Sequence, residues 1–185
     1  MDPFSYGYNS DTYVYGTLRR LRLISSNRPP DAYQNASSII TELVDIVSKG
    51  GNFLIDIDPM QDGTVIPEER GPLLEVGAWL NHSGNAIYNT RPWFVQPADT
   101  TAGLIDVRFT TTETAFYIIA VSRPSESLKT VAPVPVMEGD KIFLLGGSGR
   151  QLAWSINDGV LSVNVSDHEL DMINLPAWAF EVVYG

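Results

Sequence analysis

The stretch Leu43-Val-Asp-Ile-Val-Ser-Lys-Gly-Gly-Asn-Phe-Leu-Ile-Asp-Ile-Asp-Pro59 decides the first half of the fold. Around its start, Ala36, Ile39, Ile40, Leu43, Val44 and Val47 recur at helical spacing, which predicts an amphipathic helix over residues 36–49. Ser37 or Ser38 is placed to cap that helix, and Gly50-Gly51 to end it in the left-handed conformation. Residues 53–57 then read as a short, almost continuously apolar strand, the kind found in parallel sheets covered on both faces. Asp56 interrupts the run near its C-terminal end, where barrel enzymes place polar groups for chemistry. An equally good reading has its carboxylate accepting from a neighbouring backbone amide. Residues 58–64 are rich in turn formers. Pro67 followed by Glu68 and Glu69 marks a second helix start. That helix is predicted to reach Leu80, with Leu73, Val76, Gly77 and Leu80 inward. Helix, strand, loop and helix in this order form an αβα section of a (β/α)8 barrel.

After Trp93 the period changes from 3.6 to two. Strands are predicted over 104–110, 115–121, 141–145, 152–156, 160–165 and 177–184, with turn signals between them. Asn157-Asp158-Gly159 between two such runs is a strong hairpin signal. The whole is expected to be α/β plus all-β: the last αβα section of an incomplete barrel, residues 1–94, followed by an antiparallel β-sandwich, residues 95–185. Gln96-Pro-Ala-Asp-Thr-Thr101 has linker composition at the boundary. A barrel section standing alone leaves a strand edge and helix faces uncovered, so the chain by itself is expected to be poorly soluble or partly disordered before residue 95, with the sandwich able to fold.

Composition narrows the function classes. The formal charge of −10 argues against general affinity for nucleic acid phosphates. No apolar run of 18 residues exists, so no membrane-spanning helix is expected. The N-terminal residues Met1-Asp-Pro-Phe-Ser5 do not read as a signal peptide. With no cysteine and only His82 and His168, neither disulfides nor a zinc site are expected. Three N-x-S sequons, at Asn35, Asn81 and Asn164, lean towards a secretory route.

The stretch 43–59, with Asp62-Gly63 and Ala86-Ile-Tyr-Asn-Thr-Arg-Pro-Trp93, resembles the end of the catalytic barrel in family 29 α-L-fucosidases. Their pattern reads close to LVD-VSKGGN-LLN-GP-DG and then AIY-TRPW; Asp58 stands where a glycine usually precedes the proline. Tyr6-Gly-Tyr-Asn9 matches a W/Y-G-Y-N turn of the same family. The resemblance implies a retaining exo-glycosidase releasing terminal α-L-fucose from glycoconjugates, in an extracellular or lysosome-like compartment. It implies no cofactor, since two carboxyl groups suffice for the chemistry. Both of these, nucleophile and acid/base, are expected upstream of the segments matched here, so no catalytic residue is assigned. Tyr6, Tyr8 and Asp56 are the candidate substrate-binding residues: a tyrosine offers a flat apolar face to sugar C–H groups and a hydroxyl for hydrogen bonding. Trp79 and Trp93 are expected to be structural, and Arg91 to anchor the junction. Residues 13–29 match neither part and hold four of the 12 basic residues. They look inserted, with a translated intron the leading explanation, a loop variant and an anionic-ligand patch the others. The reading from a different class is a non-catalytic carbohydrate- or protein-binding sandwich module, displaying aromatics such as Tyr117 and Trp154 on one face.

Overall fold

The computed structural model describes residues 19–23, 33–57, 59–174 and 176–185. It opens with strand β1 (Arg19–Leu23), helix α1 (Ala36–Ser48), strand β2 (Phe53–Ile57) and helix α2 (Pro67–Ser83). The α1 cap is Asn35, two residues ahead of Ser37, the first of the serines expected: its side-chain oxygen accepts from the Ser38 amide at 2.9 Å. At the other end Gly50 adopts φ +74°, the Gly50 amide bonds Val47 O and the Gly51 amide bonds Ile46 O, both at 2.9 Å. Both bonds belong to the Schellman arrangement that Gly50-Gly51 predicts.

Strand β2 lies parallel to β1, with Arg22 opposite Asp56. A segment that matched nothing in sequence thus supplies the partner strand, and β1, α1 and β2 form one β-α-β unit. Phe53 and Ile55 turn towards a core, whereas Leu54 and Ile57 are exposed. The strand is therefore covered on one face, not two. In α2, Val76 and Trp79 are buried, but Gly77 faces out and Glu69, read as a first-turn dipole residue, is buried. The inward stripe runs 69–76–79–83, rotated from the expected one.

The remainder is an antiparallel sandwich. Beyond the 3-10 turn Gly84–Ala86 come β3 (Arg91–Pro92), β4 (Ala98–Asp99), β5 (Val107–Thr111), β6 (Ala115–Ala120), β7 (Ser127–Thr130) and β8 (Lys141–Leu144). The chain closes with β9 (Trp154–Asn157), β10 (Val160–Asn164), helix α3 (Asp167–Asp171) and β11 (Trp178–Val183). One sheet has the order β3-β5-β6-β11-β8 with β4 also on β5; the other is β7-β10-β9. The β9–β10 turn has Asp158 at φ 51° and Gly159 at φ 78°, the two left-handed residues of a type I′ hairpin. Phe109, Phe116, Leu128, Ile142, Leu161 and Phe180 fill the space between the sheets.

Strand β6 reads Ala-Phe-Tyr-Ile-Ile-Ala, apolar throughout, and is buried at every residue. Phe116, Ile118 and Ala120 point into the sandwich, while Ala115, Tyr117 and Ile119 point the other way. That second face packs against Ile39, Ile40 and Val44 of α1 and Val76 and Trp79 of α2. The helices are therefore a third layer on the larger sheet. Gln96–Thr101, linker-like in composition, is tied down instead: Asp99 is 2% exposed and bonded across to β7. Arg91 is exposed. The junction is held by Trp79 Nε1–H to Ala177 O (2.8 Å), Thr110 Oγ1–H to Ala86 O (2.7 Å) and Trp93 Nε1–H to Pro133 O (3.2 Å).

A further contact joins the end of α2 to the β8–β9 loop. Gly146 sits at φ +78°, and a Cβ there would lie 2.7 Å from His82 Nδ1 and 2.8 Å from Ile173 Cδ1. Gly146→Ala is expected to destabilise the chain by about 2–3 kcal/mol, from left-handed backbone strain plus overpacking. Urea denaturation measures this. A loss below about 0.5 kcal/mol, the range of neutral surface changes, would show that the loop moves aside.

Candidate functional site

Among the sequence-predicted site residues, Tyr6 and Tyr8 lie outside the described residues, as does Asp58. Asp56 lies on β2, partly buried, one residue before the strand ends. The loop that follows is built by its own residues. Pro59 bridges Val65, and the Asp62 carboxylate accepts from the Thr64 amide (3.0 Å) and hydroxyl (2.7 Å). Those bonds hold the Asp62 carboxyl below the usual carboxylate range. Asp62-Gly63 is thus a turn, with Gly63 at φ +81°. Beyond it, Thr64, Val65, Arg70, Leu73 and Leu74 line an open, mainly apolar groove of about 540 Å³. Asp56 is not on its wall. The exposed Leu54, Ile57, Met60 and Leu74 belong to this same loop, strand and helix.

A second groove, of about 750 Å³, runs along the polar side of α1 past Ser38, Thr41, Asp45, Lys49 and Arg108 to Pro176. Asp45 lies on α1 and is partly buried. It accepts from Arg108 Nε of β5 at 2.7 Å and from Lys49 Nζ at 2.6 Å. Burial pushes its carboxyl up, and the Lys49 and Arg108 bonds more than reverse this, leaving it lowered. The signal for this pair was available: Arg108 falls on the helix-facing side of β5, with Thr110.

The other described carboxylates with assigned partners also build the fold. Asp140 accepts from the Met137 and Gly185 amides, both at 2.9 Å. Glu169 is 5% exposed and accepts from the Ser148 amide at 2.9 Å and from the Ser148 hydroxyl. These bonds hold its carboxyl low. Asp167 and Asp171 both pair with Arg123. Glu181 accepts from Tyr117 OH at 3.1 Å; burial, then the Glu181 charge, pushes this phenol up to about 12. Such acids are occupied in structural bonds and are poorly placed for proton transfer.

The aromatics do not form a platform of the expected kind. Tyr117 is 4% exposed under the helices, and Trp154 packs on the sandwich core with its Nε1–H on Asp140 O at 3.2 Å. Trp79 and Trp93 are structural, as the sequence suggests. Among the described residues there is no His/Cys/Asp/Glu cluster able to hold a metal ion.

The Alpha-L-fucosidase family model matches residues 24–85, the section holding α1, β2 and α2. The tissue alpha-L-fucosidase of Homo sapiens is 34% identical over 84% of this chain and 29% of its own length. The Mus musculus counterpart is 34% identical over 98% of this chain and 36% of its own length. Among solved structures, the Thermotoga maritima alpha-fucosidase in complex with fucose superposes with a TM-score of 0.73 at 27% identity, over 86% of this chain and 37% of that one. The chain thus spans about a third of the length of the relatives it matches. Sequence and fold agree over that span, and the chain belongs to the α-L-fucosidase family.

Proposed function

We propose that this polypeptide is a section of a retaining α-L-fucosidase that removes terminal α-L-fucose from glycans, glycoproteins or glycolipids. The observation that carries the proposal is the family match over residues 24–85, which contains the SKGGN turn, β2 and the α2 start. Residues 34–92 are read as the closing section of a (β/α)8 barrel and residues 95–185 as the accessory sandwich. The parallel β1–β2 pair joined through α1 supports that reading, since it is the unit such barrels repeat. So does the apolar surface left open at Leu54, Ile57, Met60 and Leu74, where neighbouring barrel elements would pack.

In the reaction one carboxylate attacks the anomeric carbon of fucose while the second, protonated, gives its proton to the departing oxygen. Water then releases fucose from the covalent intermediate, with the second group acting as base. Neither carboxylate is assigned to this chain. Its part is the wall of the fucose subsite, with Asp56 accepting from a sugar hydroxyl and Tyr6 and Tyr8 stacking on the ring. A compartment on the secretory route is proposed, supported by the sequons and by a 36% identical plasma alpha-L-fucosidase of Pongo abelii.

The product of the full-length transcript is expected to hydrolyse an aryl α-L-fucoside and to release α-fucose first, seen by proton NMR before mutarotation. Absence of hydrolysis in a folded full-length protein would refute the reading. In that protein Asp56→Asn is expected to raise KM about tenfold with kcat nearly unchanged, the loss of one charged hydrogen bond. An unaltered KM would remove Asp56 from the subsite.

A further inference from the structure

The three sequons differ in what the fold does with them. At Asn81-His82-Ser83 the serine is fully buried, its hydroxyl on His82 Nδ1 at 2.7 Å, inside α2. At Asn35-Ala36-Ser37 the asparagine is the α1 cap, its carboxamide oxygen committed to the Ser38 amide. At Asn164-Val165-Ser166 the pattern is otherwise. Leu161 and Val163 of β10 point into the sandwich core, so the alternation turns Asn164 to the outer face of the three-stranded sheet. Asn164 is exposed, and so is Ser166. Val165, between them, is 4% exposed and pins the segment to the core. Ser166 caps α3 through its side-chain oxygen on the Glu169 amide. A bulky group on the Asn164 amide nitrogen therefore extends into solvent without touching the cap, the ladder or either core.

From this we infer that Asn164 carries an N-linked oligosaccharide, resting on the proposed secretory route but not on the fucosidase reaction. The donor is an oligosaccharide on a polyprenyl pyrophosphate. The Asn164 amide nitrogen forms a bond to the anomeric carbon, the sugar–phosphate bond breaks, the lipid pyrophosphate departs, and the nitrogen loses one proton. The enlarged side chain covers the outer side of β7-β10-β9, the face turned away from the sandwich core. Glycosylation there adds polar cover to the side of the molecule opposite the helices and the proposed barrel.

The test is mass spectrometry of the protein isolated from its own cells, deglycosylated by peptide N-glycosidase in heavy-oxygen water. The expected result is conversion of Asn164 to aspartate carrying one heavy oxygen. In a eukaryotic secretory host, Asn164→Gln is expected to lose one glycan's worth of electrophoretic mobility shift, and Ser166→Thr, which keeps both sequon and helix cap, to retain it. Labelling at Asn35 or Asn81 with Asn164 unmodified would overturn the inference while leaving the secretory route standing. No labelling at any sequon would overturn both.

Discussion

Trp79→Ala is expected to lower the stability of the chain by about 3–5 kcal/mol and to loosen helices and sandwich together. The indole is fully buried, and Trp→Ala changes in cores cost about that much through lost transfer energy and the cavity left behind. Its Nε1–H also donates to Ala177 O, the residue just before β11, at 2.8 Å. Trp79 shares its cluster with Ile39 and Ile40 of α1, Tyr117 and Ile119 of β6 and Ala179 of β11. Loss of the ring removes contacts from both layers at once. A core shared in this way ties the order of the helices to that of the sandwich. The check is thermal unfolding followed at once by far-ultraviolet dichroism and by tryptophan fluorescence. Coincident transitions, both shifted down in the variant, fit the shared core. A variant that melts its helices early while the sandwich transition stays in place would contradict it. Trp79→Phe, keeping most of the volume but not the donor, is expected to cost about 1–3 kcal/mol.

Asp99→Asn is the second large effect, expected to cost about 3 kcal/mol although it changes the side chain by one atom. One carboxylate oxygen accepts from the Thr101 amide (3.1 Å) and hydroxyl (2.6 Å). The other accepts from the Thr130 hydroxyl (2.6 Å) and the Val131 (2.8 Å) and Ala132 (3.2 Å) amides. An asparagine has a single acceptor oxygen, so either way round its NH2 group faces donors in a buried site. The same bonds make stability depend on pH. Burial raises the Asp99 carboxyl, and bonds from the Thr101 and Thr130 hydroxyls and neighbouring amides more than reverse this, to about 2. The folded value lies below the unfolded value of about 3.9, so this contribution is complete above pH ~4. It is lost as pH falls through about 2, and amounts to about 2 kcal/mol. Glu169, also held low, acts in the same direction. Denaturation midpoints from pH 5 down to pH 2 are expected to fall steeply in the parent chain and less so in Asp99→Asn. Equal slopes would mean that Asp99 does not carry the acid sensitivity.

How much of this was legible depends on whether the signal was local. The α1 stripe, the Gly50-Gly51 stop and the Asp158-Gly159 hairpin all depend on neighbours within four residues, and each was found where periodicity and turn chemistry put it. Strand β6 was legible as a strand, but its unbroken apolar run had a cause outside itself: a helical layer on its second face. The same long-range packing rotated the α2 stripe, burying Glu69 and exposing Gly77. Strand β4 hid in a linker-like stretch because its order comes from Asp99 reaching β7, about thirty residues on, which composition does not encode. Strand β1 carried no family pattern and is defined only by its pairing with β2. Asp56, proposed for the sugar subsite, stands out in sequence by type and place, as an acid near the end of an apolar strand.

The most direct measurement is full-length sequencing of mature transcripts across this locus, upstream of residue 1 and through residues 13–29. The account predicts an open frame that continues upstream of residue 1 and encodes the remaining barrel strands, with an aspartate nucleophile on a middle one. A complete set of mature transcripts encoding these 185 residues alone would contradict it, leaving a family member without the reaction.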